Sequence, residues 1–172
     1  MKTTTFLVLS LALSIPTVAL ADAPSEADLA ACFGGKKSWT PTALAKLKPK
    51  MSPAAAAAVL PGADQVSQYG FVTVKPDGCA GAAEFELYFA KNKKTDAFEL
   101  SRATILFDSK TSADEAFYAS LVKITSAKYG RIKKQEEVTK KLITWVNRSF
   151  KIAQLSNKPT RDGRMLQLSV SL

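Results

Sequence analysis

Two stretches of the chain alternate apolar and polar residues with a period of two. Met165 to Leu172 has leucine or valine at every second position between glutamine and serine, and Glu84 to Phe89 alternates glutamate and tyrosine with phenylalanine and leucine. Because successive side chains of a β-strand point to opposite faces, this pattern indicates strands with one buried and one solvated side. Such strands are typical of antiparallel sheets.

Turn and capping signals place the other elements. Ser52-Pro53 begins a helix, since serine caps free amide groups and proline is tolerated at the first helical position, and Pro61-Gly62 ends it. Asp162-Gly163 predicts a hairpin turn before the last strand. The other predicted elements are a short helix at 24–33, strands at 71–74, 98–107, 142–147 and 150–155, and a long helix from Ser112 to Tyr129.

The long helix has the clearest signals. Ser112-Ala113-Asp114-Glu115 has the form of a capping box, and Gly130 offers a left-handed stop. An apolar stripe with helical spacing predicts one buried face. The residues predicted to pack in the core here and in the later strands are Phe117, Tyr118, Leu121, Val122, Ile124, Trp145 and Phe150.

Together these elements predict an α+β fold in which two short helical units pack on antiparallel sheet, in the order α-βββ-α-βββ. We divide the chain into a signal peptide at 1–21, an N-terminal helical and extended segment at 22–50 and one α+β domain at 51–172. A helix-opening serine and a Tyr-Gly pair both recur at an offset of 60. Chance explains this recurrence, and so does a degenerate tandem repeat with halves 51–110 and 111–172. In either case we expect the strands to form one sheet or two small ones.

The first residues have the parts of a signal peptide. These are the basic residue Lys2, an apolar run from Phe6 to Ile15 and the small-residue site Ala19-Leu20-Ala21. The run is shorter than the roughly 20 residues that span a membrane. We therefore expect cleavage after Ala21 and an exported protein, periplasmic or secreted.

A second signal competes with that site. Leu29-Ala30-Ala31-Cys32 has the form of a bacterial lipobox, which would attach Cys32 to lipid. A lipobox follows its apolar run closely, whereas Asp22, Glu26 and Asp28 lie between the run and this cysteine. We therefore interpret the match as chance.

The two cysteines, Cys32 and Cys79, form an even pair in a chain expected to be exported. An oxidising compartment favours a disulfide between them, and two unpaired thiols are the alternative. The bridge would remove roughly 4 kcal/mol of chain entropy from the unfolded state.

Charge is distributed unevenly along the chain. Residues 22–122 carry 11 basic and 12 acidic side chains, whereas 123–172 carry 12 basic and 3 acidic ones, so the last 50 residues account for a net charge of +9. Such a field attracts anionic partners, although a well-solvated surface that aids solubility explains it equally well. The candidate binding residues are Lys133, Lys134, Lys140, Lys141, Arg161 and Arg164.

The chain has no histidine, which removes the usual general base and the commonest metal ligand. Two cysteines without histidine do not make a four-ligand zinc site, and no phosphate loop or dinucleotide fingerprint is present, so we expect no metal and no cofactor. Glu84 and Glu86 share one face of a predicted strand and are the candidate acid and base of a hydrolase. A solvated strand face is the more common explanation of such a pair.

Lys50-Met51-Ser52-Pro53, the alanine-rich turn after it and Leu60-Pro61-Gly62 resemble the short helix of small bacterial envelope proteins of the β-lactamase-inhibitor-protein-like type, which the outer-membrane assembly lipoproteins of the SmpA type share. The resemblance covers the pattern from about Ser52 to Leu172. In that superfamily a short helix precedes a curved antiparallel sheet, and tandem copies form a concave binding face. The resemblance implies this architecture and a role in protein or envelope binding; it implies no inhibitor contact residues. The chain departs from the lipoproteins because its lipobox is out of register.

These observations predict an exported, non-enzymatic binding module that engages a protein, an anionic envelope polymer or a lipid head group through a basic C-terminal face. Nucleic acid is not an expected partner, because the chain is exported. A small carboxylate-dependent hydrolase and a structural periplasmic protein without a specific ligand are the alternatives.

Overall fold

The computed structural model describes residues 24–161 and 163–172. The signal peptide expected at 1–21 and Asp162 of the expected hairpin turn lie outside the described residues. In the described part, the helices are α1 (Glu26–Phe33), α2 (Pro53–Ala57), α3 (Ser109–Ala113), α4 (Glu115–Tyr129) and α5 (Gln135–Thr139). The strands are β1 (Phe71–Val74), β2 (Ala82–Lys91), β3 (Phe98–Phe107), β4 (Leu142–Val146), β5 (Ile152–Thr160) and β6 (Gly163–Ser171).

The strands form one open antiparallel sheet in the order β1-β2-β3-β6-β5-β4. Each half of the chain contributes three consecutive strands, and the two sets meet where β3 pairs with β6, with Ile105 opposite Leu168. The predicted α+β fold with antiparallel sheet is confirmed, and the six strands belong to a single sheet. Because the sheet does not close, it has two faces and two edges.

The helices and the N-terminal segment lie on one face of the sheet, which we call the covered face. Leu87, Ile105 and Leu168 are fully buried there. Phe117 of α4 meets Phe107 of β3 edge to face, with ring centroids 5.4 Å apart. The apolar stripe predicted for the long helix is therefore buried against the sheet, because its members and the inward residues of the strands form one core.

The N-terminal segment contributes to the same core. Ser25 caps α1 through a capping box, and Leu29, Cys32 and Phe33 on the inner side of this helix are fully buried. Cys32 is bonded to Cys79, with Cα atoms 4.6 Å apart, so the predicted disulfide is confirmed. The bridge ties α1 to the turn that precedes β2.

The long helix begins differently from the prediction. Asp108 caps α3 and Asp114 caps α4, because their carboxylates accept bonds from the first free amides of each helix. The capping box predicted at Ser112 is wrong. Ser112 lies inside α3 and is buried, where its Oγ accepts a bond from Leu166 N at 3.0 Å and donates one to Phe107 O at 3.3 Å. Its hydroxyl therefore joins α3 to two central strands.

Of the two aromatic residues predicted to pack in the later strands, one is buried and the other is exposed. Trp145 is buried at 5% exposure, and its Nε1 donates a bond to Gly130 O at 2.9 Å. Phe150 is 85% exposed, so its predicted core role is wrong. It lies in the turn between β4 and β5 with φ of +59°, and Asn147 Oδ1 holds this turn by accepting bonds from Ser149 N and Lys151 N.

Candidate functional site on the open face of the sheet

The side of the sheet away from the helices, which we call the open face, carries a line of polar side chains. Each alternates along its strand with a buried residue, so it points away from the helices. Cross-strand pairing sets them side by side from β2 to β4 in the order Glu86, Thr104, Ser169, Gln154 and Thr144. We call this line the polar row. Within it, the Oγ atoms of Thr104 and Ser169 lie 2.9 Å apart, and Gln154 Nε2 donates to Thr144 Oγ1 at 3.2 Å.

A second line of side chains runs beside the polar row. It consists of Phe71, Tyr88, Arg102, Ser171, Ile152 and Val146, from β1 to β4. We call it the mixed row, because apolar residues at both ends flank a guanidinium and a hydroxyl at the centre. The Ser171 hydroxyl fastens β6 to β5, accepting a bond from Ile152 N at 2.6 Å and donating one to Ile152 O at 3.2 Å.

A groove of about 380 Å³ lies between these rows. Its volume is within the range of small-ligand sites, which hold roughly 300–1,000 Å³. The groove is lined by residues of β2, β3, β6 and β5, so it crosses the four central strands of the open face. The lining residues are Glu86, Arg102, Thr104, Ile152, Gln154, Gln167, Ser169 and Ser171.

The exposed large apolar residues of the described chain are concentrated on this face. Five of the seven occupy outward positions of strands, and the other two, Tyr69 and Phe150, lie in turns. The five are Phe71, Leu142, Val146, Ile152 and Met165. Exposed apolar side chains gathered on one surface, rather than scattered, are typical of an interaction site.

Arg102 is the central cation of the open face. Its guanidinium carbon lies 5.1 Å from the centroid of the Tyr88 ring, and that ring lies 4.7 Å from the ring of Phe71. Among the described residues, no carboxylate oxygen lies within 4.0 Å of a guanidinium nitrogen of Arg102, so Arg102 forms no ion pair there. The guanidinium is thus held over an aromatic ring, with its donors available to a partner.

Glu84 and Glu86 both lie on the open face, where they pair with Leu106 and Thr104 of β3. Glu84 is exposed, and Glu86 is half-buried in the wall of the groove. Their shared orientation agrees with the alternation in the sequence. The groove remains open to solvent beside them.

The six basic residues predicted from the sequence lie around one end of the sheet. Lys133 and Lys134 precede α5, Lys140 and Lys141 follow it, and Arg161 and Arg164 belong to the β5–β6 hairpin. Asn157 of β5 joins the two clusters. Its N donates to Lys141 O at 2.9 Å, and its Oδ1 and O accept bonds from Arg164 Nε at 3.1 Å and Nη2 at 2.9 Å.

Three of these six side chains are engaged within the molecule. Lys141 forms an ion pair with Glu115, and its Nζ lies 5.4 Å from the Tyr118 ring. Lys140 Nζ lies 3.8 Å from a carboxylate oxygen of Glu136, and the Arg164 guanidinium is held by Asn157. The exposed Lys133, Lys134 and Arg161 are the candidates most open to an external partner.

Burial shifts the pKa of three groups on the covered face, and one of them is Tyr129, whose pKa is raised by loss of solvation. Lys128 is buried, donates bonds to Ser38 O at 2.7 Å and Gly35 O at 3.2 Å, and has its pKa lowered by loss of solvation. It fastens the segment after α1 to α4. Burial, followed by the nearby charge of Glu115, raises the pKa of Tyr118 to about 12. All three groups lie away from the groove.

Comparison of the chain with protein-family models, with curated proteins and with solved structures gave no match. Among residues 24–161 and 163–172, no helix combines the length and apolar character that crossing a membrane requires. The same residues contain no group of three or more histidine, cysteine, aspartate or glutamate side chains placed to hold a metal ion. The site is therefore defined by its geometry alone.

Proposed function

We propose that the protein is an exported, non-enzymatic binding module that takes its partner on the open face of the sheet. The observation that carries the proposal is the groove on that face, with exposed apolar residues on both sides of it. A partner that covers these side chains would remove apolar surface from water, which is favourable. The partner classes stay those expected from the sequence, a protein or an anionic envelope component.

The disulfide supports the exported part of the proposal. The bond between Cys32 and Cys79 is of a kind that persists in oxidising compartments and is rare in the cytosol. It agrees with the signal peptide expected at 1–21.

The basic end has a supporting role in this proposal. Lys133, Lys134 and Arg161 are exposed, and long-range attraction by such charges raises the rate at which an anionic partner arrives. We assign the contact surface to the open face and the attraction to the basic end, because Lys140, Lys141 and Arg164 already hold contacts within the fold.

A hydrolase that uses Glu84 and Glu86 is the second candidate, because Glu86 lines the groove. General acid–base catalysis would require Glu86 to change its protonation state during turnover. Substitution Glu86→Gln would then abolish hydrolysis of any substrate found, whereas a binding module shows no turnover with either side chain.

The test compares what wild type and two matched variants of the full chain retain from an envelope extract. Ile152→Glu places a new charge in the groove wall, and Ala119→Glu places the same charge on the exposed side of α4. We expect Ile152→Glu to lose the retained material and Ala119→Glu to keep it. Equal retention by the two variants would contradict binding at the open face.

A second comparison separates contact from attraction. Charge reversal at Lys133, Lys134 and Arg161 leaves the contacts of Asn157 untouched. We expect this triple variant to bind more slowly and with a weaker dependence on salt, while the dissociation rate changes little. A large rise in the dissociation rate would instead place the contact surface at the basic end.

A further inference from the structure

We propose that the groove binds an acidic polysaccharide, whose carboxylate contacts Arg102 and whose hydroxyl groups contact the polar row. The inference rests on the proposed function, because it names the ligand of the same face. Three observations carry it: a guanidinium without an ion pair among the described residues, the hydrogen-bonding groups of the groove, and the aromatic and polar side chains that continue the two rows beyond the groove.

The guanidinium of Arg102 would bind an anionic group of the ligand. Its guanidinium stacks 5.1 Å from the Tyr88 ring and makes no ion pair with the carboxylates of the described residues. The stacking orients the flat fork of N–H donors, and this fork matches the two oxygens of a carboxylate. A pre-oriented arginine loses less conformational entropy when it binds such a group.

The other side chains of the groove would form hydrogen bonds with hydroxyl groups of the ligand. Of its eight lining residues, Ile152 alone is apolar. Gln167 lines the groove with both an amide donor and an amide acceptor, while Gln154 Nε2 is engaged with Thr144 and leaves its Oε1 as an acceptor. Glu86 adds further acceptor positions. A ligand with many alternating donors and acceptors satisfies this lining better than the apolar anchor residues that dominate protein interfaces.

Glu86 also discriminates among anionic ligands. An ionised carboxylate only accepts hydrogen bonds, so a ligand that presents only anionic groups to this wall, without hydroxyl donors beside them, would be repelled. Glu86 pairs with Thr104, and Arg102 lies two residue pairs further along the same strands, on the same face and opposite Tyr88. Diagonal neighbours of this kind are roughly 7–8 Å apart. A sugar acid, in which hydroxyl donors lie close to a carboxylate, fits both side chains.

The two rows of side chains extend beyond the groove on both sides. Towards β1 the mixed row offers the rings of Tyr88 and Phe71, whose centroids are 4.7 Å apart, and towards β4 the polar row ends in Thr144. A compact ligand would leave these groups unused. A chain of sugar units that crosses the strands would contact them, stacking one ring face on Phe71, because Arg102 and Phe71 already cover the Tyr88 ring.

The experiment titrates the full chain with an oligogalacturonate, with its neutral methyl ester and with an oligoglutamate of equal charge, by calorimetry. We expect the acidic sugar to bind and its ester to bind at least about tenfold more weakly, since a hydrogen bond to a charged group contributes about 1.5–3 kcal/mol. Arg102→Ala should weaken binding of the acidic sugar by a similar factor. Arg131→Ala, which removes an exposed arginine away from the sheet, is the matched control and should change binding less than about twofold.

Three results would overturn the proposal. Equal binding of the acid and its ester would show that Arg102 does not recognise a carboxylate. An equal loss of affinity in Arg102→Ala and Arg131→Ala would show that the sugar responds only to the net charge of the protein. Binding of the oligoglutamate as tightly as the sugar, with the same dependence on Arg102, would identify an acidic peptide as the ligand. Any of these results would reject the proposed ligand. The proposed binding function would still hold if Ile152→Glu loses the material that wild type retains from the extract.

Discussion

The covered face and the open face of the sheet share every strand but differ in what their side chains contact. Leu168 on the covered face is fully buried in the core, while its neighbour Ser169 on the open face is half-buried and bonded to Thr104 across the strands. Burial of apolar surface is the main stabilising contribution to folding, so the covered face holds most of the stability. The difference teaches that residues of the open face can change with little cost to the fold.

The disulfide belongs to the covered side, and its removal should have the largest effect. The double variant Cys32→Ser and Cys79→Ser opens a loop with a sequence separation of 47 residues. The free energy of unfolding should fall by about 4 kcal/mol, since the unfolded chain regains the entropy that the bridge removed. Urea unfolding of the double variant and of wild type measures this. A loss under about 1 kcal/mol would show that α1 is held by its core contacts alone.

Substitution Leu168→Ala tests the core of the covered face. Leu168 belongs to β6, which lies between β3 and β5 at the centre of the sheet, and its side chain is fully buried. Its truncation should lower the free energy of unfolding by about 3 kcal/mol, because it removes buried methyl groups and leaves a cavity. Thermal and urea unfolding check the value. A loss similar to that of an exposed residue would mean that the two faces do not differ in stability.

Tyr118 makes the stability of the covered face depend on pH. Burial raises its pKa to about 12, whereas the unfolded phenol loses its proton near the ordinary value of 10.0. The folded chain therefore binds more protons than the unfolded chain between these values, and the stability falls as the pH rises through this window.

The variant Tyr118→Phe should be less sensitive to alkaline pH than wild type. At neutral pH the change should be small, because the buried hydroxyl has no partner within the described residues. Lys128, whose pKa is lowered by burial, acts with the opposite sign and is present in both proteins. Unfolding measured from neutral pH to about pH 12 gives the difference between them. Parallel curves would contradict the assignment.

Substitution Gln167→Ala on the open face should have the smallest effect on stability. Gln167 is half-buried, lines the groove and lies next in sequence to Leu168. The free energy of unfolding should change by less than about 0.5 kcal/mol, since the side chain makes no hydrogen bond to the described residues and lies outside the apolar core. The proposed ligand should bind more weakly. A loss of stability comparable to that of Leu168→Ala would show that the open face also supports the fold.

The alternation of Met165 to Leu172 was sufficient to predict which side chains share a face, because the period of two follows from strand geometry alone. It was not sufficient to place Arg102 beside Ser171. These residues are distant in sequence and meet only because β3 pairs with β6. The groove was therefore missed, although its members stand at outward positions of recognisable strands.

Two other differences between sequence and structure have local causes. Ser112 resembles a helix cap in sequence, but its hydroxyl is taken by the sheet, and the aspartates before and after it cap the helices. The short helix α5 was missed because it has no apolar stripe. It is held against β4 by contacts that the sequence does not reveal, including a bond from Thr144 N to Glu137 Oε2 at 3.3 Å.

That contact between Thr144 and Glu137 lies at one edge of the sheet, and a similar arrangement exists at the other. Ser67 N donates to Phe71 O at 2.8 Å, and Phe71 N donates to Ser67 Oγ at 3.1 Å. In each edge strand, one residue whose backbone groups could recruit an additional strand thus has a partner within the molecule. We therefore expect a partner to recognise side chains of the open face rather than to extend the backbone ladder. Evolution can consequently retarget this molecule by point substitutions on one surface, with no change in strand number or topology.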